Sequence, residues 1–242
     1  MPGRLRYRWR PAQTRCRSKL ELLRRNPLAA RPRDGVLWIG SDLVVNALTH
    51  SVTRASSLPG PERKRLWDLL MDVDQHPRNA LILSVPLGFT LAAQTGLVWL
   101  DNAALGALWI ASAAWFACMW LAHWKRSSAS GPALAKWDWR IRYVLILAFL
   151  FVGVVSLVTG RPLAAPWLAW KVILFAGVLA CGIGIRHYIR VSYAAWPRIW
   201  AGQGTAADEA AVRIAMRRAT WVLWCLWLLL AAIGLLGVTK PG

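Results

Sequence analysis

Three polar side chains that could bind a solute stand four residues apart in the segment SDLVVNALTHS, namely Asp42, Asn46 and His50. On a helix this spacing places them within about 80° of one another, and Thr49 and Thr53 join the same side. We call these five residues the polar stripe; the opposite side of the helix is apolar. A carboxylate, an amide and an imidazole in one row predict a solute path formed by Asp42, Asn46 and His50.

The polar stripe has two other interpretations. Its side chains could be structural and hydrogen-bond to a neighbouring helix, with Ser84, Thr90 and Gln94 as candidate partners. Alternatively, residues 36–55 could lie flat at the membrane surface with the stripe in water. A carboxylate inside lipid costs at least about 2.5–3.5 kcal/mol, so Asp42 should face the bundle or an aqueous path if its helix spans the membrane.

The composition indicates an integral membrane protein. The chain is 57% hydrophobic, only 17% charged, and carries 17 tryptophans, a residue that favours membrane–water boundaries. The net charge of +19 is concentrated before residue 36 and beside apolar runs, so it predicts topology and a lipid partner rather than nucleic-acid binding. The four cysteines lie far apart and form no disulfide or zinc pattern.

Five apolar runs are long enough to cross about 30 Å of hydrocarbon as helices. They cover residues 79–100, 102–124, 141–160, 166–186 and 219–238. The run at 36–55 predicts a shorter sixth span at the N-terminal side. The sequence therefore predicts an all-α, polytopic transmembrane helical bundle over residues 36–242.

The distribution of basic residues between these runs predicts the orientation. Sixteen Lys and Arg lie in segments 54–78, 125–142 and 186–218, whereas Arg161 and Lys240 are the two on the other side. Because basic loops stay in the cytoplasm, the prediction is a multi-pass protein of a bacterial inner membrane with a periplasmic C-terminus.

Two of the cytoplasmic segments have helical patterns of their own. Residues 61–78 predict an amphipathic helix at the membrane surface. Residues 205–218 predict a second helix, which begins at a capping box of Thr205 and Asp208 and runs into the last span.

The first 35 residues form a basic, Arg- and Pro-rich leader that conflicts with this topology. If residues 36–55 span, its eleven Lys and Arg lie on the wrong side of the membrane. Residues 36–55 could instead be a re-entrant or interfacial helix, or the leader could be a removed or targeting segment. We favour a third explanation, a misplaced start with non-native sequence before a truncated helix, because the leader lacks apolar periodicity and the helical pattern begins abruptly at Val36.

Two short motifs resemble the CopD-like copper-resistance membrane proteins. Trp38, Ile39 and Gly40 match a Trp-x-Gly that follows a histidine in that family's first helix, and Lys171 in WKVILFAGVLACGIGIR resembles its Lys-led later helix. The resemblance covers residues 36–238 and implies an inner-membrane protein concerned with copper or another small solute. The family's upstream histidine would fall in the leader, so that ligand does not carry over.

The side-chain chemistry of the chain, apart from the resemblance, also suggests copper ligands. Imidazole and sulfur side chains gather near the predicted cytoplasmic ends of the spans, and Cu(I) prefers such ligands. An alternative is that these histidines are solvated and the cysteines only fill space. No pair has a metal-ligand spacing on one helix, so a site would require convergence in three dimensions. The candidate copper ligands are His50, His76, Cys118, Met119, His123, Cys181 and His187.

The sequence contains no G-x-S-x-G, no H-E-x-x-H and no phosphate-binding loop. This predicts that the protein is not an enzyme. The leading hypothesis is an inner-membrane protein that binds or transports a small solute, with copper as the first candidate. The alternative is a membrane-embedded structural or assembly subunit, in a homo-oligomer or with a partner subunit, because small residues recur on the helix faces.

Overall fold

The computed structural model describes residues 31–54, 56–126 and 128–241, with side chains from Asp42 onward. Within these ranges the chain forms helices joined by short connections, and one isolated β-bridge pairs Val98 with Leu163. The helices are α1 (Arg31–Arg54), α2 (Gly60–Val73), α3 (Gln75–Gln94), α4 (Asn102–Trp124), α5 (Gly131–Thr159), α6 (Pro166–Ser192), α7 (Trp196–Trp200) and α8 (Ala206–Thr239). The prediction of an all-helical fold is confirmed.

Four of the described helices, α4, α5, α6 and α8, are long and apolar enough to cross a membrane. Large apolar side chains such as Ile110, Leu147 and Leu228 are more than half exposed on them, as helices facing lipid require. The membrane class is therefore supported, whereas the predicted count of five strong spans and a sixth is not confirmed. Helix α3 ends at Gln94 instead of residue 100, because Gly96 turns the chain with a left-handed φ of 72°.

Several helices begin or end at the residues that the sequence predicts. Helix α4 has the predicted bounds, and α6 begins at the predicted Pro166 and continues to Ser192. Helix α8 begins at a capping box in which Thr205 Oγ1 accepts from the Asp208 amide at 3.2 Å and Asp208 Oδ2 accepts from the Thr205 amide at 3.0 Å. It runs unbroken to Thr239, so the prediction for residues 205–218 is confirmed.

Six helices form a closed ring. Helices α3, α4, α5, α6 and α8 each contact the next, and α1 contacts both α8 and α3. The interior is apolar and is built around side chains from five of these helices, including Ile82, Trp115, Phe149, Leu179 and Leu226. Helix α1 therefore completes the bundle, and this position decides what its polar stripe faces.

A second apolar cluster covers one end of the ring, where α2, α7, the last turn of α1 and the first turns of α8 meet. Val52, Trp67, Trp196 and Val212 are at most 1% exposed there. The predicted amphipathic segment 61–78 is thus a packed helix, α2, followed by the start of α3. We call this the basic end, because it carries the three basic segments 54–78, 125–142 and 186–218.

Candidate solute-binding cleft

Helix α1 runs alongside α8 in the opposite direction. Near its middle, Trp227 Nε1 of α8 donates a hydrogen bond to Asp42 Oδ2 at 3.0 Å. Near its end, Arg54 lines the same cleft as Arg213 of α8. Because Trp227 lies within the apolar run 219–238, Asp42 lies at the depth of that run, and a helix lying flat at the membrane surface does not fit this geometry.

The cleft between α1 and α8 has a volume of about 520 Å³ and opens at the basic end. Four residues of the polar stripe line one wall, Asn46, Thr49, His50 and Thr53, and Arg54 follows them. The 3.6-residue helical period explains this, because residues at intervals of three and four share one face.

The opposite wall of the cleft comes from α8. Arg213, Arg217 and Thr220 lie on it, together with Ala210, Ile214 and Met216. These positions also follow the helical period, so one face of each helix contributes a wall.

A smaller cavity of about 70 Å³ adjoins the cleft on the side of the bundle interior, between α1, α2, α6 and α8. The two share Asn46, Thr49, Met216 and Thr220 in their walls, and the smaller one adds Asp42 and Asp74. The polar stripe therefore lines two adjoining spaces, with Asp42 in the smaller cavity, His50 in the cleft and Asn46 and Thr49 in the walls of both. The structure brings the three predicted path residues together on one side of one helix, where each lines the cleft or the cavity beside it.

The stripe's hydroxyl and amide groups differ in their hydrogen bonding. Thr49 Oγ1 donates to the Val45 carbonyl at 2.8 Å, and Thr53 Oγ1 donates to the Thr49 carbonyl at 2.8 Å, so both hydroxyls are satisfied within α1. In the described part of the chain, the side chains of Asn46 and His50 make no hydrogen bond. These two groups are available to a bound molecule.

The predicted partners Ser84 and Thr90 do not hydrogen-bond to the polar stripe in the structure. Ser84 Oγ donates within its own helix to the Leu81 carbonyl at 2.7 Å, and Thr90 Oγ1 accepts from Trp109 at 3.1 Å. The partner of Asp42 is Trp227, an indole donor 185 positions away in the sequence. Asp42 is 7% exposed, so this hydrogen bond partly offsets the cost of burying its carboxyl group.

An arginine fixes the end of α1 against α8. Arg63 of α2 bonds Glu209 through Nη1 at 2.5 Å and Nη2 at 3.1 Å, and Nη2 also donates to the Val52 carbonyl at 3.2 Å. The Arg63 guanidinium lies 5.3 Å from the Trp196 ring centre. A bidentate pair of this kind is directional, so it sets the position of the last turn of α1 beside the cleft.

A separate buried ion network joins α4, α5 and α6. Asp138 Oδ2 accepts from Arg142 Nε at 3.1 Å and from Arg186 Nη1, and its Oδ1 accepts from Trp115 Nε1 at 2.9 Å. The Arg142 guanidinium also lies 5.4 Å from the Trp115 ring centre. Sequence reasoning missed this network, although the four-residue spacing of Asp138 and Arg142 on one helix was a signal for it.

The predicted copper ligands lie at several separate places. His50 lines the cleft, whereas His76 and His187 are exposed at the basic end. Met119 belongs to the apolar core, and Cys181 is half-buried on α6.

Two further candidates already have protein partners. The ring nitrogens of His123 lie 3.0 Å from Gln75 Nε2 and 3.1 Å from Asp72 Oδ1, and Cys118 Sγ lies 3.8 Å from the Leu134 carbonyl. Among the residues that the structure describes, no group of three or more His, Cys, Asp or Glu could hold a metal ion. The copper site stays a prediction.

The fold and the cleft define the class of the protein, an all-helical membrane protein with several candidate spans and a polar cleft between its first and last described helices. Comparison with family models, with curated proteins and with solved structures gives no match to this chain. The resemblance to the CopD-like proteins therefore rests on the short motifs alone and stays a prediction.

Proposed function

We propose that this protein binds a small solute in the cleft between α1 and α8 and passes it along the polar stripe. The single observation that carries the proposal is that Asn46, His50 and Asp42 line two adjoining cavities, although the other side of their helix is apolar. Polar side chains at membrane depth that face a cavity are typical of solute paths. Asp42 forms the deep end of the path and His50 its mouth.

The proposed location is the inner membrane of a bacterial cell, with the basic end in the cytoplasm and the C-terminus in the periplasm. The basic segments at one end support this orientation through the positive-inside rule. In this orientation the arginines of the cleft lie at its cytoplasmic end, and Asp42 lies toward the middle of the membrane.

Two classes of solute fit the cleft, copper and small anions. Copper is the solute that the CopD-like resemblance implies, and His50 is the one candidate copper ligand that lines the cleft. The three arginines in the walls of the cleft, Arg54, Arg213 and Arg217, instead attract anions. Uptake of copper and of small anions into vesicles that contain the purified protein separates the two classes.

The experiment that tests the path replaces Asp42 and His50 together, as Asp42→Asn with His50→Gln. Both changes keep side-chain volume and hydrogen-bonding capacity but remove the ionisable groups. We expect a folded, inserted protein that no longer accumulates solute. Replacing Asp68 and His76 in the same way is the matched control, because both lie outside the cleft. Unchanged solute uptake by the Asp42/His50 variant would contradict the proposal.

A second candidate function is a structural or assembly subunit. The buried network around Asp138 and the close approach of α5 to α6 at Gly153 support it, because both features tie helices together. Under this alternative the Asp42/His50 variant fails to insert or loses a partner subunit. Protease protection of the inserted variant and its co-purification with partners measure this outcome directly.

A further inference from the structure

The walls of the cleft carry positive charge. Three arginines line it, Arg54, Arg213 and Arg217, and no Asp or Glu does. None of the three has an ion-pair partner among the side chains that the structure describes. The nearest acidic residue in the sequence of α8, Glu209, is held by Arg63. The cleft therefore carries an uncompensated positive charge.

The depth of these arginines can be placed along α8. Its 34 residues are about 51 Å long at about 1.5 Å per residue, well beyond the roughly 30 Å hydrocarbon layer. The apolar run 219–238 fills that layer. Arg217 and Arg213 precede it by about 3 and 9 Å along the axis, which is the depth of the polar headgroups. The cleft thus opens at the level where lipid phosphates lie.

The donors in the cleft match a phosphate group. Guanidinium groups bind phosphate oxygens through paired N–H donors, and three of them can surround one phosphate. Asn46 and His50 add donors that have no partner among the described residues. Among the residues that line the two spaces, acidic groups occur only in the smaller cavity, at Asp42 and at Asp74, and Asp74 is paired with Arg78. A phosphate is therefore favoured in the cleft, beside the arginines, and disfavoured in the smaller cavity.

We infer that Arg54, Arg213 and Arg217 form a binding site for a phosphate-bearing anion at the mouth of the cleft. This inference rests on the proposed function, because it assigns a ligand class to the same cleft. The phosphate belongs either to the headgroup of an anionic lipid or to a phosphate in solution. Both sources use the same guanidinium contacts, so they are separated by experiment.

The test uses the full-length protein in lipid nanodiscs. Inorganic phosphate is titrated by calorimetry into phosphatidylcholine nanodiscs, and retained phosphatidylglycerol is counted by native mass spectrometry from mixed nanodiscs. The variant carries Arg213→Gln with Arg217→Gln. The control carries Arg190→Gln with Arg218→Gln, which removes the same charge at the same end from residues outside the cleft.

We expect the cleft variant to bind about 30-fold more weakly than the wild type, since each arginine near an anionic group contributes about 1 kcal/mol, a factor of about five. The control variant should retain wild-type binding. Binding of phosphate, of the anionic lipid or of both supports the inference and names the source. Binding of neither, or an equal loss in the control variant, overturns it.

Failure of this inference is distinguishable from failure of the proposed function. The arginine variants keep Asp42, Asn46 and His50, so solute uptake through the polar stripe can be measured on the same preparations. Solute uptake without phosphate binding would remove the ligand class and keep the path. Phosphate binding together with unchanged uptake in the Asp42/His50 variant would remove the path and keep the anion site.

Discussion

Replacing Asp138 with asparagine tests whether the ion network between α4, α5 and α6 is as buried as the structure shows. Asp138 and Arg142 are 1% and 2% exposed in their side chains, and Arg186 also points at the same carboxylate. The substitution Asp138→Asn keeps the side-chain shape and an oxygen for Trp115 Nε1, but it removes the negative charge. Two guanidinium groups are then left close together without a counter-charge.

The expected loss of stability follows from this burial. Removing one partner of a buried ion pair costs about 3–5 kcal/mol, because the remaining charge is desolvated and unpaired. The retained oxygen for Trp115 places Asp138→Asn near the lower limit, at about 3 kcal/mol. Adding Arg142→Met removes one of the stranded charges, so the double variant should recover at least about 1 kcal/mol of that loss.

The assay is reversible unfolding of the purified protein in mixed detergent micelles, followed by tryptophan fluorescence and helical circular dichroism. The matched control is Asp68→Asn, because Asp68 is 44% exposed and bridges Lys64 at 3.9 Å and Arg126 at 3.4 Å. Exposed bridges contribute about 0–1 kcal/mol. A loss for Asp138→Asn no larger than that of Asp68→Asn, or no recovery in the double variant, would refute the reasoning.

Three further outcomes are expected. Thr205→Ala should cost about 1 kcal/mol in the same unfolding assay, because it removes the cap of α8, and Thr205→Ser should restore most of it. Gly177→Leu should lower the unfolding midpoint, because even an added Cβ there would lie 3.1 Å from a Leu229 methyl group of α8, and an unchanged midpoint would contradict this close approach of α6 to α8. Gly153→Ala should lower the unfolding midpoint, because its methyl group would collide with the α6 side chain opposite it, and an unchanged midpoint would show that α5 and α6 lie farther apart.

Much of the fold follows from signals that act over a few residues. The apolar run 102–124 became α4 with the predicted bounds, and the capping box at Thr205 marked the start of α8. Helix α3 ended early because Gly96 adopts a left-handed conformation, which a hydropathy window does not register. Helix α5 began at Gly131 rather than residue 141, because Pro132 favours a helix start and the charged residues Lys136, Asp138 and Arg140 excluded these turns from the apolar run.

Only one wall of the cleft, the one from α1, could be predicted from the sequence. The four-residue spacing of Asp42, Asn46 and His50 placed them on one face of a helix, and the structure keeps them together. The opposite wall came from α8, and Trp227 is separated from Asp42 by most of the chain. Sequence periodicity determines which residues share a face, but tertiary packing determines what that face meets. The arginines of α8 were interpreted as topology signals for the same reason.

The central claim is that the polar stripe of α1 faces water-accessible space, and cysteine accessibility measures this most directly. In a chain whose native cysteines are replaced by serine, Asn46→Cys and Val44→Cys are compared, because Asn46 lines both cavities whereas Val44 is 49% exposed on the outer side. A membrane-impermeant maleimide is applied to open membrane fragments. The structure predicts rapid labelling of the cysteine at position 46 and slow labelling at position 44, because the thiolate forms only in water. Equal protection of both positions would contradict the path.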